Sequence, residues 1–325
     1  MADKLTKISK PIENELKQFS LLFRETMKTK VALVNLITSY ILKQKGKKIR
    51  PTLVLLSAKI AGKVNERSYR GAILVELLHT ATLVHDDVVD SSEERRGFPS
   101  INAVWKNKVA VLIGDYLLSR GLLLSVDNND TDFLQVMTRT VKRMSEGELL
   151  QISKTRKLNI DEETYFRIIS DKTASLLSTC CEIGALSAGD DLKIRNSLKN
   201  YGENLGIAFQ IKDDILDFNG KNGFLGKPLG GDVKEKKITL PLIYALNKSD
   251  KAERKKIIHL IKNGKKKENL KKVVDIVNFS GGIEYAEKVA NDYINRAKNE
   301  LAIFPDSEIK KSLNDLLDFV VNRTK

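Results

Sequence analysis

The chain is poor in the residues that carry extracellular or extended architectures. Its 325 residues include two cysteines, six prolines, one tryptophan and 19 glycines. Cys180 and Cys181 are adjacent, so no disulfide framework can be built, which fits a reducing, cytoplasmic compartment. The scarcity of proline and glycine excludes collagen-like repeats, linker arrays and general disorder. No window approaches the roughly 18 to 20 apolar residues needed to span a bilayer. Met1 to Lys10 alternates polar and apolar residues without the apolar block of a signal peptide. What the chain does have is charge of one sign: 56 Lys and Arg against 42 Asp and Glu, a net +14, with a pI near 9.5. A soluble protein so basic asks for an acidic partner, and nucleic acid, a membrane surface and phosphorylated small molecules all qualify.

With 42% hydrophobic residues the chain can bury a large core, and its apolar pattern is helical. Leu33, Leu36, Ile37, Tyr40 and Ile41 form one stripe, and Leu53, Leu56 and Ile60 another. Val141, Met144, Glu148 and Gln151 carry the spacing into a partly polar stretch. Ile309, Leu313, Leu316, Leu317 and Val320 make a closing helix entered through Pro305, Asp306 and Ser307. No Asn-Gly or Asp-Gly hairpin signal separates alternating strands. An all-α fold follows, as one domain over residues 1–325. Breaks are expected near Gly62, Asp127 to Asp130, Gly189 to Asp191, Asn219 to Gly231 and Asn247 to Asp250. The segment Lys251 to Lys272 holds ten Lys or Arg against two Glu, a net +8, yet keeps helical apolar spacing. It reads as a solvated helical face, with weak peripheral attraction to anionic lipid as a second reading.

Two aspartate triplets are the most informative feature. Asp86-Asp87-Val88-Val89-Asp90 is followed 127 residues later by Asp213-Asp214-Ile215-Leu216-Asp217. In each, the outer aspartates are four apart, so on a helix both carboxylates project from one face. Like charges at that spacing repel, and both triplets are flanked by apolar residues, so a compensating cation is needed. Magnesium takes oxygen ligands and typically binds one or two carboxylates together with substrate phosphates. Basic residues gather nearby: Arg95 and Arg96 after the first triplet, and Lys227 and Lys237 after the second. Gly46-Lys47-Lys48-Ile49-Arg50-Pro51 lies upstream, where Pro51 can open a helix with cations at its N-terminal end, a natural diphosphate cradle. Lys48 and Lys236 read as ordinary surface residues, and His85 carries no role.

The stretch from His79 through Asp86-Asp87 to Arg95-Arg96-Gly97 resembles the first aspartate-rich motif of the trans-isoprenyl diphosphate synthases, the polyprenyl synthetases. Phe209-Gln210-Ile211-Lys212-Asp213-Asp214-Ile215-Leu216-Asp217 resembles the second. The resemblance extends from Gly46 to the closing helix. It implies a bundle of antiparallel helices around a central cavity, two triplets facing across it, and a homodimer. It assigns Asp86, Asp90 and Asp213 to magnesium, with Asp87, Asp214 and Asp217 in support, and about three ions once substrate is bound. Arg95, Lys172, Thr173, Gln210, Lys227 and Lys237 would hold an allylic diphosphate. Lys47, Arg50, His79 and Arg96 would hold isopentenyl diphosphate. The implied reaction ionises the allylic diphosphate, shields the carbocation from water, and joins it head-to-tail to isopentenyl diphosphate. No Ser-His-Asp or Cys-His pattern is present, and none is required.

Two details depart from the commonest family pattern: Lys45 stands where many members have glycine, and Lys221-Asn222-Gly223 replaces a more acidic stretch. Small residues, Ala81 and Thr82, precede the first triplet where short-chain producers often place an aromatic ring. With the two-residue spacer Val88-Val89, this points to a medium or long all-trans product of about 30 to 45 carbons, a quinone side-chain precursor. The alternatives are a geranylgeranyl or farnesyl diphosphate synthase, a terpene cyclase that would lack the isopentenyl cradle, and a non-catalytic synthase subunit that would not need both triplets. No zinc spacing or aromatic RNA-binding motif supports a nucleic-acid partner.

Overall fold

The computed structural model describes residues 2–44, 46–95, 97–219, 230–264 and 266–323. They form helix after helix, as the apolar spacing predicts. The N-terminal half runs α1 (Ala2–Ser9), α2 (Glu13–Thr26), α3 (Ala32–Lys43), α4 (Ile49–Ala61), α5 (Glu66–Val89), α6 (Ile101–Asp127) and α7 (Thr131–Lys157). The chain continues through α8 (Glu162–Ile169), a π-helical turn (Ser170–Ala174), α9 (Ser175–Ala188), α10 (Leu192–Asn219) and α11 (Gly231–Lys234). It closes with α12 (Leu240–Lys248), α13 (Lys251–Lys262), α14 (Lys267–Phe279), α15 (Gly282–Glu300) and α16 (Glu308–Asn322).

Local chemistry sets the boundaries. Asn65 caps α5 through a reciprocal pair of hydrogen bonds with Ser68, and Ser307 caps the closing helix at the backbone N–H of Lys310. Asp130, buried at the turn between α6 and α7, accepts from Arg67 at 3.0 Å and Arg70 at 2.7 Å, which ties that turn to the start of α5. The helix expected at Pro51 opens two residues earlier. Lys48 is its N-cap in a left-handed conformation (φ 50°), so Lys47 and Lys48 precede the helix and Arg50 stands in its first turn. One feature was not foreseen: a two-residue β-ribbon, β1 (Glu94–Arg95) with β2 (Phe98–Pro99), turning through Gly97 at φ 78°. It is too short to leave a period in the sequence.

Helix α6 corrects the expectation that no segment could cross a bilayer, because by length and composition it is long and apolar enough. Asp115, Ser119 and Arg120 cut its apolar run into short pieces, which conceals it from a count of uninterrupted residues. One third of the apolar window is buried in the protein. Val104, Val111, Leu112, Leu123 and Val126 are exposed along its outer side.

Two clusters of buried side chains meet along α10 and α15. One is built from α1 to α7, α9, the start of α10 and α16; the other from α8, the end of α10 and α11 to α15. Close backbone approach holds the centre together. A Cβ on Gly206 of α10 would meet the Ala174 Cα at 2.5 Å, so α10 can lie against the π turn only with glycine there.

Candidate active site

The first triplet occupies the last turn of α5. Asp86 and Asp90 lie one turn apart and are exposed, and among the described residues their carboxylates make no hydrogen bond or ion pair. Asp87 is rotated inward and is 2% exposed. The β-ribbon returns Arg95 over it: the Arg95 Nε lies 2.8 Å from both Asp87 oxygens and Nη2 lies 2.6 Å from Oδ1. Arg95, expected to meet an allylic diphosphate, is thus held by Asp87. Partial burial, the Glu148 carboxylate and Asp90 raise the pKa of Asp86, while Lys172 and Arg95 pull against them. A carboxylate crowded in this way favours an added cation.

The second triplet, near the end of α10, is held differently. Asp213 pairs with Arg323 at 2.8 Å. Asp214 is 3% exposed and accepts from the Tyr165 hydroxyl at 2.7 Å and the Gln210 amide at 2.9 Å. Burial and the neighbouring Asp232 carboxylate push its pKa well up, and Tyr165 and Gln210 offset only part of this. Asp217 accepts two backbone N–H groups at 3.0 Å, from Gly231 and Asp232 at the start of α11.

Lysines stand between the triplets. The π turn carries Lys172 and Thr173, and the extra residue in that turn re-aims both side chains. Lys172 meets Glu148 at 2.5 Å and Gln151 at 3.4 Å. The Thr173 hydroxyl donates to Gln210 at 3.1 Å, which links the turn to Asp214. Lys237 is opposed by burial, but its 2.6 Å contact with Glu235 and the charges of Asp232 and Asp90 hold its pKa above that of ordinary lysine. Lys237 therefore feels carboxylates beside both triplets, and Lys172 feels Asp86 while sharing a cavity with Asp214. That cavity, of about 110 Å³, is lined by Lys172, Thr173, Gln210, Asp214 and Lys237, with Asp232 and apolar walls from Ile160, Ile168, Ile169 and Ile238.

The other expected cradle is dispersed. His79 and Arg95 line a cavity of about 580 Å³ together with Lys48, Arg24, Ser20 and Glu76. Arg50 lines a small space beside Thr173, Phe209 and α16, and Lys47 lines a third against α1. Lys47, Arg50 and His79 are not gathered around one of these cavities. Lys48 is exposed, as expected, but its Nζ donates to Ser20 at 2.7 Å, and partial burial and Arg24 lower its pKa. His85 packs on Gly114 and lies 3.4 Å from Asp115, away from the roles assigned above. Ala81 is buried and Thr82 half-buried, its hydroxyl donating to the His79 carbonyl at 2.9 Å. Arg96 and Lys227 lie outside the described residues.

Several functional neighbours escaped the sequence reading. Glu148 and Gln151 were visible as polar residues three apart on an apolar stripe. Asp232, between Lys227 and Lys237, was given no role. Tyr165 and Arg323 had no motif. Arg323 is 6% exposed, donates to the Phe209 carbonyl at 2.7 Å and stacks 3.9 Å over the Phe209 ring. Arg143 was also missed: it meets Asp171 at 2.8 Å and Glu203 at 2.7 Å, and Ser170 bonds both Arg143 and Glu203. This clamp grips the turn that bears Lys172. Gly147 admits it, because a Cβ there would meet the Lys172 backbone nitrogen at 2.9 Å.

Among the described residues no three acidic, His or Cys side chains form a ready metal cage. The open carboxylates of Asp86 and Asp90, with Asp213 across the lysine-lined cavity once it leaves Arg323, nevertheless fit a hard cation that completes its shell with phosphate oxygens. An all-α bundle with two such triplets has counterparts among known proteins. Residues 31–277 match the polyprenyl synthetase family model. The chain is 36% identical to an all-trans-nonaprenyl-diphosphate synthase of Rhodobacter capsulatus, covering 96% of each. It is 33% identical to the octaprenyl diphosphate synthase of Escherichia coli, covering 99% of each. A crystal structure of a polyprenyl synthase from Caulobacter crescentus, complexed with calcium and isoprenyl diphosphate, superposes with a TM-score of 0.90 at 34% identity, over 99% of this chain and 98% of that one. The chain belongs to the polyprenyl synthetase family, has the all-α isoprenoid synthase fold, and is a prenyltransferase.

Proposed function

We propose that this prenyltransferase is magnesium-dependent and condenses isopentenyl diphosphate head-to-tail with an allylic diphosphate, giving an all-trans polyprenyl diphosphate of about 30 to 45 carbons for a quinone side chain. The observation that carries the reading is the placement of Lys172 and Lys237 between two aspartate triplets, in a cavity with apolar walls. Magnesium, held by Asp86, Asp90 and Asp213, would supply the positive charge that lets the allylic C–O bond ionise. Lys172 and Lys237 share the charge of the leaving diphosphate, and Thr173 and Gln210 orient it. Ile160, Ile168 and Ile169 keep water from the allylic carbocation. The isopentenyl double bond attacks that carbon, and the proton lost leaves with the diphosphate. His79 and Arg95, with Lys48 and Arg24 beside them, provide the second anionic subsite.

We read residues 1–325 as one catalytic domain acting in the cytoplasm. The exposed apolar side of α6 supports a homodimer, because burying it against a second copy removes Val111, Leu112 and Leu123 from water. Small Ala81 and Thr82 support the long product. The test is incubation with isopentenyl and farnesyl diphosphates and magnesium, followed by product-length analysis. Elongation beyond 20 carbons, taken as roughly the short-chain limit, is expected. Products that stop at that length favour the shorter-chain alternative, and no consumption of isopentenyl diphosphate contradicts the synthase reading. Ala81→Phe is expected to shorten the longest product; an unchanged length would remove Ala81 from the tunnel.

A further inference from the structure

Away from the cavity, α13 and α14 present a surface that catalysis does not use. They follow one another in the chain and pack on each other. Ile257, Leu260, Ile261, Val273, Val274 and Val277 point into the second core cluster, so the pair is folded without any outside partner. The opposite side is basic. Lys251, Arg254, Lys255, Lys256 and Lys262 on α13 are exposed, as are Lys266 at the turn and Lys267, Lys271 and Lys272 on α14. Among the described residues none of these nine forms an ion pair with a carboxylate. Their field is therefore not quenched from within.

A single large apolar residue accompanies them. Phe279, at the end of α14, is 91% exposed and lies seven residues, two helical turns, after Lys272. We propose that this face docks the protein on an anionic lipid bilayer, the lysines reading headgroup charge and Phe279 entering the interface. Charge complementarity favours a membrane, and so does the form of the surface. Single-stranded nucleic acid is gripped by basic grooves interleaved with stacking aromatics, whereas these two helices carry one strongly exposed aromatic, Phe279. The inner side of the same pair touches the active site, because Leu270 of α14 lies against Gly230, whose neighbours Gly231 and Asp232 hold Asp217. Docking through α14 would put the second triplet, and the diphosphate it serves, behind the docked helix pair. That last consequence rests on the proposed reaction; the docking itself does not.

The experiment is flotation of the full chain with phosphatidylcholine vesicles, neutral or carrying about 30% phosphatidylglycerol. Binding to the anionic vesicles alone is expected in about 50 mM salt, with loss in about 500 mM. Replacing Lys255, Lys262, Lys271 and Lys272 by Gln should lower partitioning on the order of a hundredfold, while isopentenyl diphosphate consumption from a short soluble primer stays unchanged. Phe279→Ser should weaken partitioning severalfold. No flotation with anionic vesicles, equal flotation with neutral ones, undiminished flotation of the glutamine variant, or complete displacement by poly(U) RNA would each overturn the proposal.

Discussion

The two aspartate triplets have the same spacing but are held in opposite ways. In the first, the outer carboxylates, Asp86 and Asp90, stand open and only the inner Asp87 is bound, by Arg95. In the second, every carboxylate already has a protein partner: Arg323 for Asp213, Tyr165 and Gln210 for Asp214, and the start of α11 for Asp217. The first triplet is therefore ready to receive a cation, whereas the second must exchange the Arg323 contact before Asp213 can serve one. A repeated motif does not imply repeated electrostatics, because each triplet meets different partners, from Arg95 eight residues on to Arg323 at the far end of the chain.

The largest effect should come from removing an outer carboxylate on either side. Asp86→Ala and Asp213→Ala should each lower turnover on the order of 10²- to 10³-fold in steady-state assays, and the double variant should fall little further if both act on one diphosphate. Additive losses would separate the two triplets.

Next comes the clamp behind Lys172. Arg143→Met should cut kcat/KM for the allylic substrate about ten- to a hundredfold through misplacement of the π turn, with little change for isopentenyl diphosphate. Arg143→Lys should restore part of this, and an equal loss for both substrates would mean a general loss of structure instead.

Arg323→Gln sharpens the contrast directly. With its counter-ion gone, Asp213 should bind magnesium severalfold more tightly, as seen by calorimetry on the protein alone. Because Asp213 is partly exposed, stability should fall by only about 1 kcal/mol. Unchanged affinity would show that the Arg323 contact does not compete with the metal.

The smallest effect concerns Asp214. Its folded pKa is raised, so its contribution to stability is fully present below its ordinary value and is lost as pH rises through the folded value. In chelator, Asp214→Asn should gain stability relative to the parent as pH rises above the ordinary carboxylate range, measured by thermal unfolding. A gain in the opposite direction would mean that Asp214 is not held as a neutral acid.

Much of this was legible in the sequence. Helical spacing gave the all-α fold, because each helix must bury one apolar stripe. The triplets stood out because clustered carboxylates among apolar residues have few uses. Lys172, Thr173, Gln210 and Lys237 do share a cavity with Asp214. What was not legible depends on long-range approach. Arg323 reaches Asp213 across 110 residues, and Arg143 grips Glu203 across 60. Nothing in local periodicity encodes such pairs. The turn that re-aims Lys172 differs from an ordinary helix by one residue, and the early start of α4 at a left-handed Lys48 leaves Lys47 outside the helix that carries Arg50.

The most direct test of the account is magnesium-dependent consumption of isopentenyl diphosphate with a farnesyl diphosphate primer, measured for the parent chain, Asp86→Ala and Asp213→Ala. Consumption by the parent that is abolished by a chelator, with near-complete loss in both variants, is the predicted result. Full activity in either variant would contradict the claim that the two triplets act together.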